Sequence, residues 1–323
     1  MTNIYLGFFI FITFFIFFRY NLPLGKNLSL IDKKKKVPLI GGFFLIIGLS
    51  LNQFYSYYTQ DVIYLDNIIF YFILSMFFVA LIDDLFNLPP LLRLLLCSIL
   101  IIFFFTESGF LIKTLNFKYL GLYLFPENVF ITYFFSIFCM IVLIHAFNFV
   151  DGINGLASLV GLSWFLYLNL KIPNLLFTNL IFLIFLILFI YLNLKNKTYL
   201  GDSGNYIISS LVGIFIIREN LSNPYSFYVE ELLLLFLIPG IDLIRLFFSR
   251  IKNKKNPLHG DLNHFHHLLL KKYSLYKTLT IYLSLIIFPL FIFILNENLL
   301  IILLIIIILI YLILVNKLLK QKK

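Results

Sequence analysis

Residues 299–315 read LLIILLIIIILIYLILV, an apolar run of 17 residues without a single charge. A helix needs about 17 to 25 such residues to cross the roughly 30 Å hydrocarbon core of a bilayer. The rest of the chain has the same character, since 62% of its 323 residues are hydrophobic and only 12% are charged. A soluble domain needs far more charge on its surface. The composition therefore excludes a soluble globular protein and indicates an integral membrane protein.

Comparable apolar stretches recur along the whole sequence, which predicts an all-α, polytopic membrane protein with about eleven transmembrane helices. No internal repeat or soluble domain separates them, so one membrane-embedded domain over residues 1–323 is expected. Pro239 and Gly240 fall inside the ninth stretch and predict a kink or break there. The predicted spans lie near residues 3–19, 38–56, 63–82, 90–106, 128–147, 154–170, 175–193, 204–217, 231–248, 277–295 and 299–315.

The distribution of basic residues orients these helices. If all eleven stretches cross the membrane, 21 of the 25 Lys and Arg residues fall on one face and four on the other. By the positive-inside rule the first face is cytoplasmic, which predicts the N-terminus outside and the C-terminus inside. The net charge of +10 then reflects topology and contact with anionic lipid, and nucleic acid is not an expected partner.

Carboxylates gather on the same predicted face. Seven of the fifteen acidic residues fall there, and six of the seven stand at helix ends or in the last long loop. Carboxylates at a membrane boundary are unfavourable unless they are paired or functional. Their convergence predicts a cation site at the cytoplasmic surface.

Two of the motifs carrying these acids are short and centred on aspartate. Asp83 and Asp84 are adjacent, and Arg93 follows nine residues after Asp84. A divalent metal, a raised pKa on one member, or an acidic helix end facing water would each accommodate the pair. Asp202 stands between Gly201 and Ser203 at the start of an apolar helix, where it fits either a metal ligand beside phosphate-binding amides or an ordinary N-cap.

Two further motifs combine polar side chains with glycine or histidine. The run 148–156 reads NFVDGINGL, in which Asn148, Asp151 and Asn154 recur at intervals of three and offer oxygen ligands or hydrogen bonds. The segment 259–267 reads HGDLNHFHH and follows a basic loop. Four of the chain's five histidines lie in it, together with Asp261. A zinc site is one interpretation, but imidazoles that receive a diphosphate suit the basic surroundings better.

Taken together, these motifs resemble the polyprenyl-phosphate N-acetylhexosamine-1-phosphate transferase family. The resemblance extends from Pro38 to about Leu270 and includes PLIGG at 38–42, the aspartate pair with Arg93, NFVDG at 148–152, GDSG at 201–204, and the histidine segment. It implies ten or eleven helices, a UDP-N-acetylhexosamine donor, and undecaprenyl phosphate as acceptor. It also implies Mg²⁺, with Mn²⁺ as a substitute, and an active site on the cytoplasmic face of the bacterial inner membrane.

The resemblance also implies roles for individual residues. Asp202 and Asn148 match the metal site, and Asp83 with Asp84 matches the catalytic pair that handles the acceptor phosphate or the metal. The substrate-binding residues that it implies are Arg93, Asp151, Asn154, Asp261, His264, His266 and His267. The chain departs from the family pattern at Asn154, where Asp is usual, and at Asn205, where Ser is common. The first departure weakens an inference of uridine recognition through that residue.

The expected reaction is attack of the lipid phosphate on the sugar-linked phosphorus, which releases UMP and starts a cell-envelope polysaccharide such as lipopolysaccharide. Two unit charges 4 Å apart repel by about 4 kcal/mol at an effective dielectric constant near 20, so cations are needed where two phosphates meet. The alternative function is a membrane transporter or lipid flippase, but such proteins place charges near the bilayer midplane. The sequence leaves the sugar and the oligomeric state open, with a homodimer as one option.

Overall fold

The computed structural model describes residues 37–59, 66–125, 129–172, 175–254 and 262–320, and this part of the chain is mostly helical. The helices in chain order are α1 (Gly41–Thr59), α2 (Asn67–Phe86), α3 (Pro90–Ser108), α4 (Val129–Asn148), α5 (Leu156–Lys171), α6 (Leu175–Leu194), α7 (Gly201–Ser222), α8 (Val229–Lys252), α9 (Phe265–Leu270), α10 (Leu275–Leu295) and α11 (Leu300–Lys320). A one-turn 3₁₀ helix, Glu297–Leu299, precedes α11.

Six helical segments in the described residues are long and apolar enough to cross a membrane. They correspond to α2, α3, α4, α8, α10 and the segment Glu297–Lys320 that contains α11. The prediction of a multi-pass membrane protein is therefore confirmed. Four more predicted spans coincide with helices α1, α5, α6 and α7, and the first, at 3–19, lies outside the described residues. The total of eleven crossings and the orientation of the termini stay predictions.

A β-hairpin shows that the prediction of an all-α fold was incomplete. Strand β1 (Thr114–Phe117) pairs antiparallel with β2 (Gly121–Leu124), and Thr114 lies opposite Leu124. Four-residue strands are too short for an alternating pattern to stand out between two long apolar helices. The hairpin is held at its turn, because the backbone N–H of Lys118 donates to Glu230 Oε2 at 3.2 Å and its ammonium lies 3.5 Å from Glu297 Oε2.

Of the kink or break predicted in the ninth span, the break is absent and the kink stays a prediction. Helix α8 continues through Pro239 and Gly240 without interruption from Val229 to Lys252. A proline removes one backbone hydrogen bond, but helix packing can stabilise the remaining turns.

The chain divides into two compact units. The first comprises the described parts of Met1–Gly109 and Ala157–Phe215, and in it α1 packs along α6 and α2 packs against α3. Backbone hydrogen bonds join the segment before α1 to the one before α7, from Gly41 N–H to Tyr199 C=O at 3.0 Å and from Tyr199 N–H to Pro38 C=O at 3.1 Å. These bonds fix the start of α7 within the unit.

The second unit comprises the described parts of Phe110–Leu156 and Ile216–Lys323. Helix α8 lies at its centre and contacts α4, α10, α11 and β1, while the short α9 packs on α10 and α11. The prediction of a single membrane domain stays a prediction.

Three serine hydroxyl groups inside the apolar helices are satisfied locally. Ser50, Ser98 and Ser136 each donate to the carbonyl four residues earlier, at 2.7 to 2.8 Å. Lipid offers no partner for a polar group, so this back-bonding allows serine in a membrane helix at little loss of stability.

Candidate active site

Predicted site residues gather in two clusters, one in each unit. The acid cluster comprises Asp83, Asp84, Arg93 and Asp202, all of which were predicted. The histidine cluster comprises the predicted residues His264, His266 and His267 together with three residues that were not predicted as site residues, Phe149, Gly152 and Asp242. Asp261 lies outside the described residues.

A sharp turn between α2 and α3 brings Arg93 back to Asp83. Helix α2 ends at Asn87, whose left-handed backbone (φ 52°) lets its N–H donate to the carbonyl of Asp83 at 2.8 Å. Helix α3 begins with Pro90, whose fixed φ and missing N–H suit a first helical position. One Asp83 carboxylate oxygen accepts from the backbone N–H of Leu88 and the other from Arg93 Nη1, both at 2.7 Å.

Arg93 joins two carboxylates from distant parts of the sequence. The same Nη1 atom lies 2.7 Å from Asp83 Oδ2 and 2.7 Å from Asp202 Oδ2. The Asp83 side chain is buried, whereas those of Arg93 and Asp202 are 19% and 24% exposed. The cluster is therefore accessible from the side of Asp202.

Asp84 caps the N-terminus of α7 from outside that helix. Its two carboxylate oxygens accept from the backbone N–H groups of Asp202 at 2.9 Å and Ser203 at 3.0 Å. Helix N-termini favour negative charge, because their first amides lack partners within the helix. Gly201 permits the approach, since its φ is +73° and a Cβ there would come within 2.8 Å of Asp84 Oδ2.

The acid cluster holds three carboxylates and one guanidinium, so two negative charges are in excess when all are ionised. Within the described ranges, no group of three or more His, Cys, Asp or Glu side chains is arranged to hold a metal ion by itself. Mg²⁺, however, binds proteins through one or two carboxylates and keeps several waters. The excess charge and the partly exposed Asp202 carboxylate fit such an ion.

The histidine cluster begins where α4 ends. After Asn148 the chain turns tightly, with hydrogen bonds from Val150 N–H to Phe147 C=O at 2.9 Å and from Gly152 N–H to Val150 C=O at 2.8 Å. Gly152 lies directly against the imidazoles, because a Cβ there would overlap Nε2 of His266 and come within 2.8 Å of Nε2 of His267. The glycine of the NFVDG run is thus a requirement of close packing on the histidine segment.

Asp242 organises the other side of this cluster, although the sequence motifs had not marked it as a site residue. One of its carboxylate oxygens lies 2.9 Å from His264 Nδ1, and the other accepts from Arg245 and Tyr311. A sequence signal for it existed, since a carboxylate inside an apolar helix is rarely incidental. Its partners could not be read from the sequence.

His266 is almost completely buried, with 1% of its surface exposed. Burial lowers the pKa of His266 well below its ordinary value, and neighbouring His267 and His264 lower it further, although Asp242 acts in the opposite direction. Its ring is therefore neutral near pH 7. Its Nε2 atom is buried without a hydrogen-bond partner among the described residues. A neutral ring provides a directional hydrogen bond rather than a positive charge.

The placement of the sequence-predicted residues is thus partly established. The structure brings together Asp83, Asp84, Arg93 and Asp202 in one unit, and Gly152, His264, His266 and His267 in the other. Asn148, Asp151 and Asn154 also belong to the second unit, at the end of α4 and in the turn after it. The predicted metal pairing of Asn148 with Asp202 and the roles of the individual residues stay predictions.

Residues 67–220 match the family model of glycosyl transferase family 4. The family that this match supports is glycosyl transferase family 4, with a little under half of the chain matched. The match contains the entire acid cluster and the NFVDG run but ends before Asp242 and the histidine segment. The similarity to this family, with the names of the relatives given below, confirms the prediction of an enzyme.

Named relatives are similar to this chain over most of their length. An undecaprenyl-phosphate alpha-N-acetylglucosaminyl 1-phosphate transferase of Thermotoga maritima is 27% identical over 253 residues, covering 77% of this chain and 74% of the relative. Proteins of the same name from Haemophilus influenzae and Escherichia coli O157:H7 are 26% identical over 266 residues and 23% identical over 282 residues. They cover 77% and 81% of this chain, respectively, and 74% of each relative.

Proposed function

We propose that this family 4 enzyme transfers N-acetylglucosamine-1-phosphate, or a closely related N-acetylhexosamine-1-phosphate, from a UDP-sugar to undecaprenyl phosphate and releases UMP. The reaction takes place at the cytoplasmic face of the bacterial inner membrane and starts a cell-envelope polysaccharide. The names of the relatives support the transferred group and the lipid acceptor. The observation that carries the proposal is the acid cluster, in which two separate motifs supply charged groups at the start of one helix.

The bonds exchanged in this reaction define what the site must do. An oxygen of the lipid phosphate forms a bond to the sugar-linked phosphorus, and the bond from that phosphorus to UMP breaks. Both reactants are anions, so most of the catalytic work is positioning and neutralisation of charge. A membrane-embedded enzyme suits the long isoprenoid tail of the acceptor, which stays in lipid throughout.

Mg²⁺ is the proposed cofactor of the acid cluster. When bound, it would neutralise phosphate oxygens and orient them for attack. Asp202 is its proposed ligand, because its side chain is 24% exposed, against 7% for Asp83, and its ion pair with Arg93 uses a single oxygen. Arg93 holds Asp202 and Asp83 at a fixed separation, and Asp84 holds the backbone of the Asp202 turn.

The histidine cluster is the proposed contact for the donor diphosphate. His266 is neutral, so one of its ring nitrogens carries a proton that can donate to a phosphate oxygen, and the ring of His264, held by Asp242, stacks on it and fixes its direction. Positive charge for the same purpose is available nearby in sequence, at Arg250 and Lys252. Asp151 and Asn154 are proposed to contact the nucleotide.

The test is a transfer assay with membranes that contain the overproduced enzyme, undecaprenyl phosphate and a panel of radiolabelled UDP-N-acetylhexosamines. We expect label in the lipid phase with one equivalent of UMP released. EDTA should stop the reaction, and Mg²⁺ or Mn²⁺ should restore it. Uptake of an unchanged substrate into sealed vesicles without lipid labelling would instead support the transporter alternative. Turnover that persists in EDTA would contradict the proposed cofactor while leaving the transfer itself intact.

A further inference from the structure

Asp242 is a buried carboxylate inside α8 that lies outside the sequence motifs and after the residues that the family model matches. It is 5% exposed, and α8 is otherwise apolar on both sides of it. An ionised carboxylate inside a membrane helix is unfavourable unless several donors surround it. The arrangement of those donors indicates what the residue does.

Four groups point at this one carboxylate. Oδ1 accepts from the Tyr311 hydroxyl at 2.6 Å and from Arg245 Nη2 at 2.7 Å. Oδ2 lies 2.9 Å from His264 Nδ1, and the backbone N–H of Phe265 donates to both oxygens at 3.1 to 3.2 Å. Through Oδ1 the carboxylate thus links α8 to α11, and through Oδ2 it links α8 to the start of α9.

The contact with His264 selects one tautomer of its ring. An ionised carboxylate can only accept hydrogen bonds, so the proton must be on Nδ1 of the imidazole. In the neutral ring this leaves the lone pair on Nε2, and Arg250 Nη2, a donor, lies 3.5 Å from that atom. The direction of the ring is therefore fixed from both of its nitrogens.

The ring of His264 in turn supports the other members of the histidine cluster. It stacks on Phe149, with ring centroids 5.3 Å apart and planes 24° apart, and on His266, with centroids 5.6 Å apart and planes 14° apart. His266 meets His267 at 4.3 Å between centroids. A rotation of His264 would therefore displace the rings on both of its faces.

We propose that Asp242 is the positioning residue of the histidine cluster: it holds His264 as the Nδ1–H tautomer and thereby aligns His266 and His267 for the donor diphosphate. The part of this inference that concerns the donor rests on the proposed function. The tautomer and the alignment of the rings do not depend on it. A purely structural role for Asp242 would stabilise α8, α9 and α11 without any effect on substrate affinity.

Nuclear magnetic resonance of histidine-labelled protein tests the tautomer directly. The chain has only five histidines, so ¹⁵N-histidine labelling in detergent gives a countable set of imidazole signals. The His264→Gln variant lacks the imidazole signals of this residue, which assigns them in the wild-type spectrum. We expect wild-type His264 to carry its proton on Nδ1 and to leave Nε2 unprotonated at pH 8. A ring protonated only on Nε2 would overturn the proposal, whatever the activity of the enzyme and whether or not any Asp242 variant folds.

Asp242→Asn tests the link from tautomer to substrate. The amide offers one acceptor oxygen to four donors, so we expect the Nδ1–H signal of His264 to be lost. The KM for the UDP-sugar should rise by about 10- to 100-fold, the range typical of residues that orient a functional group. The KM for undecaprenyl phosphate should stay within about twofold of the wild-type value.

Glu219→Gln is the matched control, because Glu219 is a second buried carboxylate of the same unit and accepts from Ser226 Oγ at 2.7 Å. We expect it to change thermal stability without changing the His264 signals or the KM for the donor. The positioning role is refuted if Asp242→Asn keeps the donor KM of the wild type per folded enzyme. Wild-type protein with no transfer activity but with the expected tautomer would refute the proposed function and leave the Asp242–His264 alignment standing.

Discussion

The negative charge of the acid cluster and the negative charge of Asp242 are compensated in different ways. In the acid cluster, Arg93 Nη1 is shared between Asp83 and Asp202, and Asp84 relies on the amides at the start of α7. The single carboxylate of Asp242, by contrast, accepts hydrogen bonds from Arg245, Tyr311, His264 and a backbone N–H. The first arrangement leaves negative charge in excess, whereas the second satisfies its single charge within the protein.

This difference separates a site that can take up a cation from one that orients side chains. Excess negative charge near a membrane boundary is stabilised when a divalent cation binds, and partial exposure lets the ion enter. A carboxylate surrounded by donors gains nothing from a cation, but it fixes the direction of every partner. The first region is therefore suited to the phosphates that react, and the second to the alignment of groups that hold a substrate.

Asp202→Asn is expected to have the largest effect, because it removes charge from the exposed end of the acid cluster. Transfer activity should fall by roughly 10³-fold, equivalent to about 4 kcal/mol of transition-state stabilisation, while the protein remains folded and inserted. The measurement is initial transfer rate per mole of folded enzyme. Asp66→Asn, at the other end of α2, is the control and should retain activity. Comparable rates in Asp202→Asn and the wild type would exclude Asp202 as the metal ligand.

Arg93→Met removes the cation that Asp83 and Asp202 share, which tests whether the acid cluster holds excess negative charge. In buffer with EDTA we expect a loss of roughly 2–3 kcal/mol in the free energy of unfolding, less than for a fully buried pair because both Arg93 and Asp202 are partly exposed. Mg²⁺ should then stabilise the variant more than the wild type, since the excess negative charge is greater. Thermal unfolding at increasing Mg²⁺ concentration measures both effects. Lys195→Met, an exposed position of the same unit, should show neither, and an equal Mg²⁺ response in variant and wild type would refute the charge argument.

Gly152→Ala tests the close packing of the histidine cluster. The added methyl group would overlap the buried ring of His266, and such overpacking destabilises by about 1–3 kcal/mol. We expect a lower thermal midpoint and a higher KM for the donor. Gly240→Ala in α8 is the matched control, because no described atom beyond its chain neighbours and the surrounding helix backbone lies within 4 Å of a Cβ at that position. If both variants unfold at the wild-type temperature, Gly152 is not pressed against the imidazoles.

The pH dependence of stability should show the smallest effect, and it comes from His266. The pKa of His266 is lowered in the folded protein, whereas an unfolded chain has an ordinary value near 6.5. Below about pH 6.5 the unfolded state therefore binds a proton that the folded state does not, and stability falls as pH falls. The slope from one such group is at most about 1.4 kcal/mol per pH unit. Thermal midpoints between pH 7.5 and 5.5 should fall less steeply in His266→Gln, and identical slopes would show that His266 is not held neutral.

Much of the fold was predictable because membrane helices are long, and their signal is averaged over about 20 residues. The ends of α3 and α10 fall within two residues of the predicted spans. The hairpin was missed because each strand contributes only four residues, and the continuity of α8 through Pro239 depends on tertiary packing. Residue type marked Asp83, Asp202 and the histidines as functional candidates. It also gave a signal for Asp242, a carboxylate inside an apolar helix, but it could not identify the groups around that residue.

Hydropathy and residue chemistry are local properties, so the amino-acid sequence was enough to indicate a multi-pass membrane enzyme with charged motifs of a sugar-phosphate transferase. The pairing of the charged groups, in contrast, became visible only in the folded chain. The tertiary structure placed Arg93 between Asp83 and Asp202, used Asp84 as the cap of α7, and surrounded Asp242 with donors from three helices. Hydrogen bonds depend on distances of about 3 Å between residues as many as 119 positions apart, and no local pattern encodes such distances.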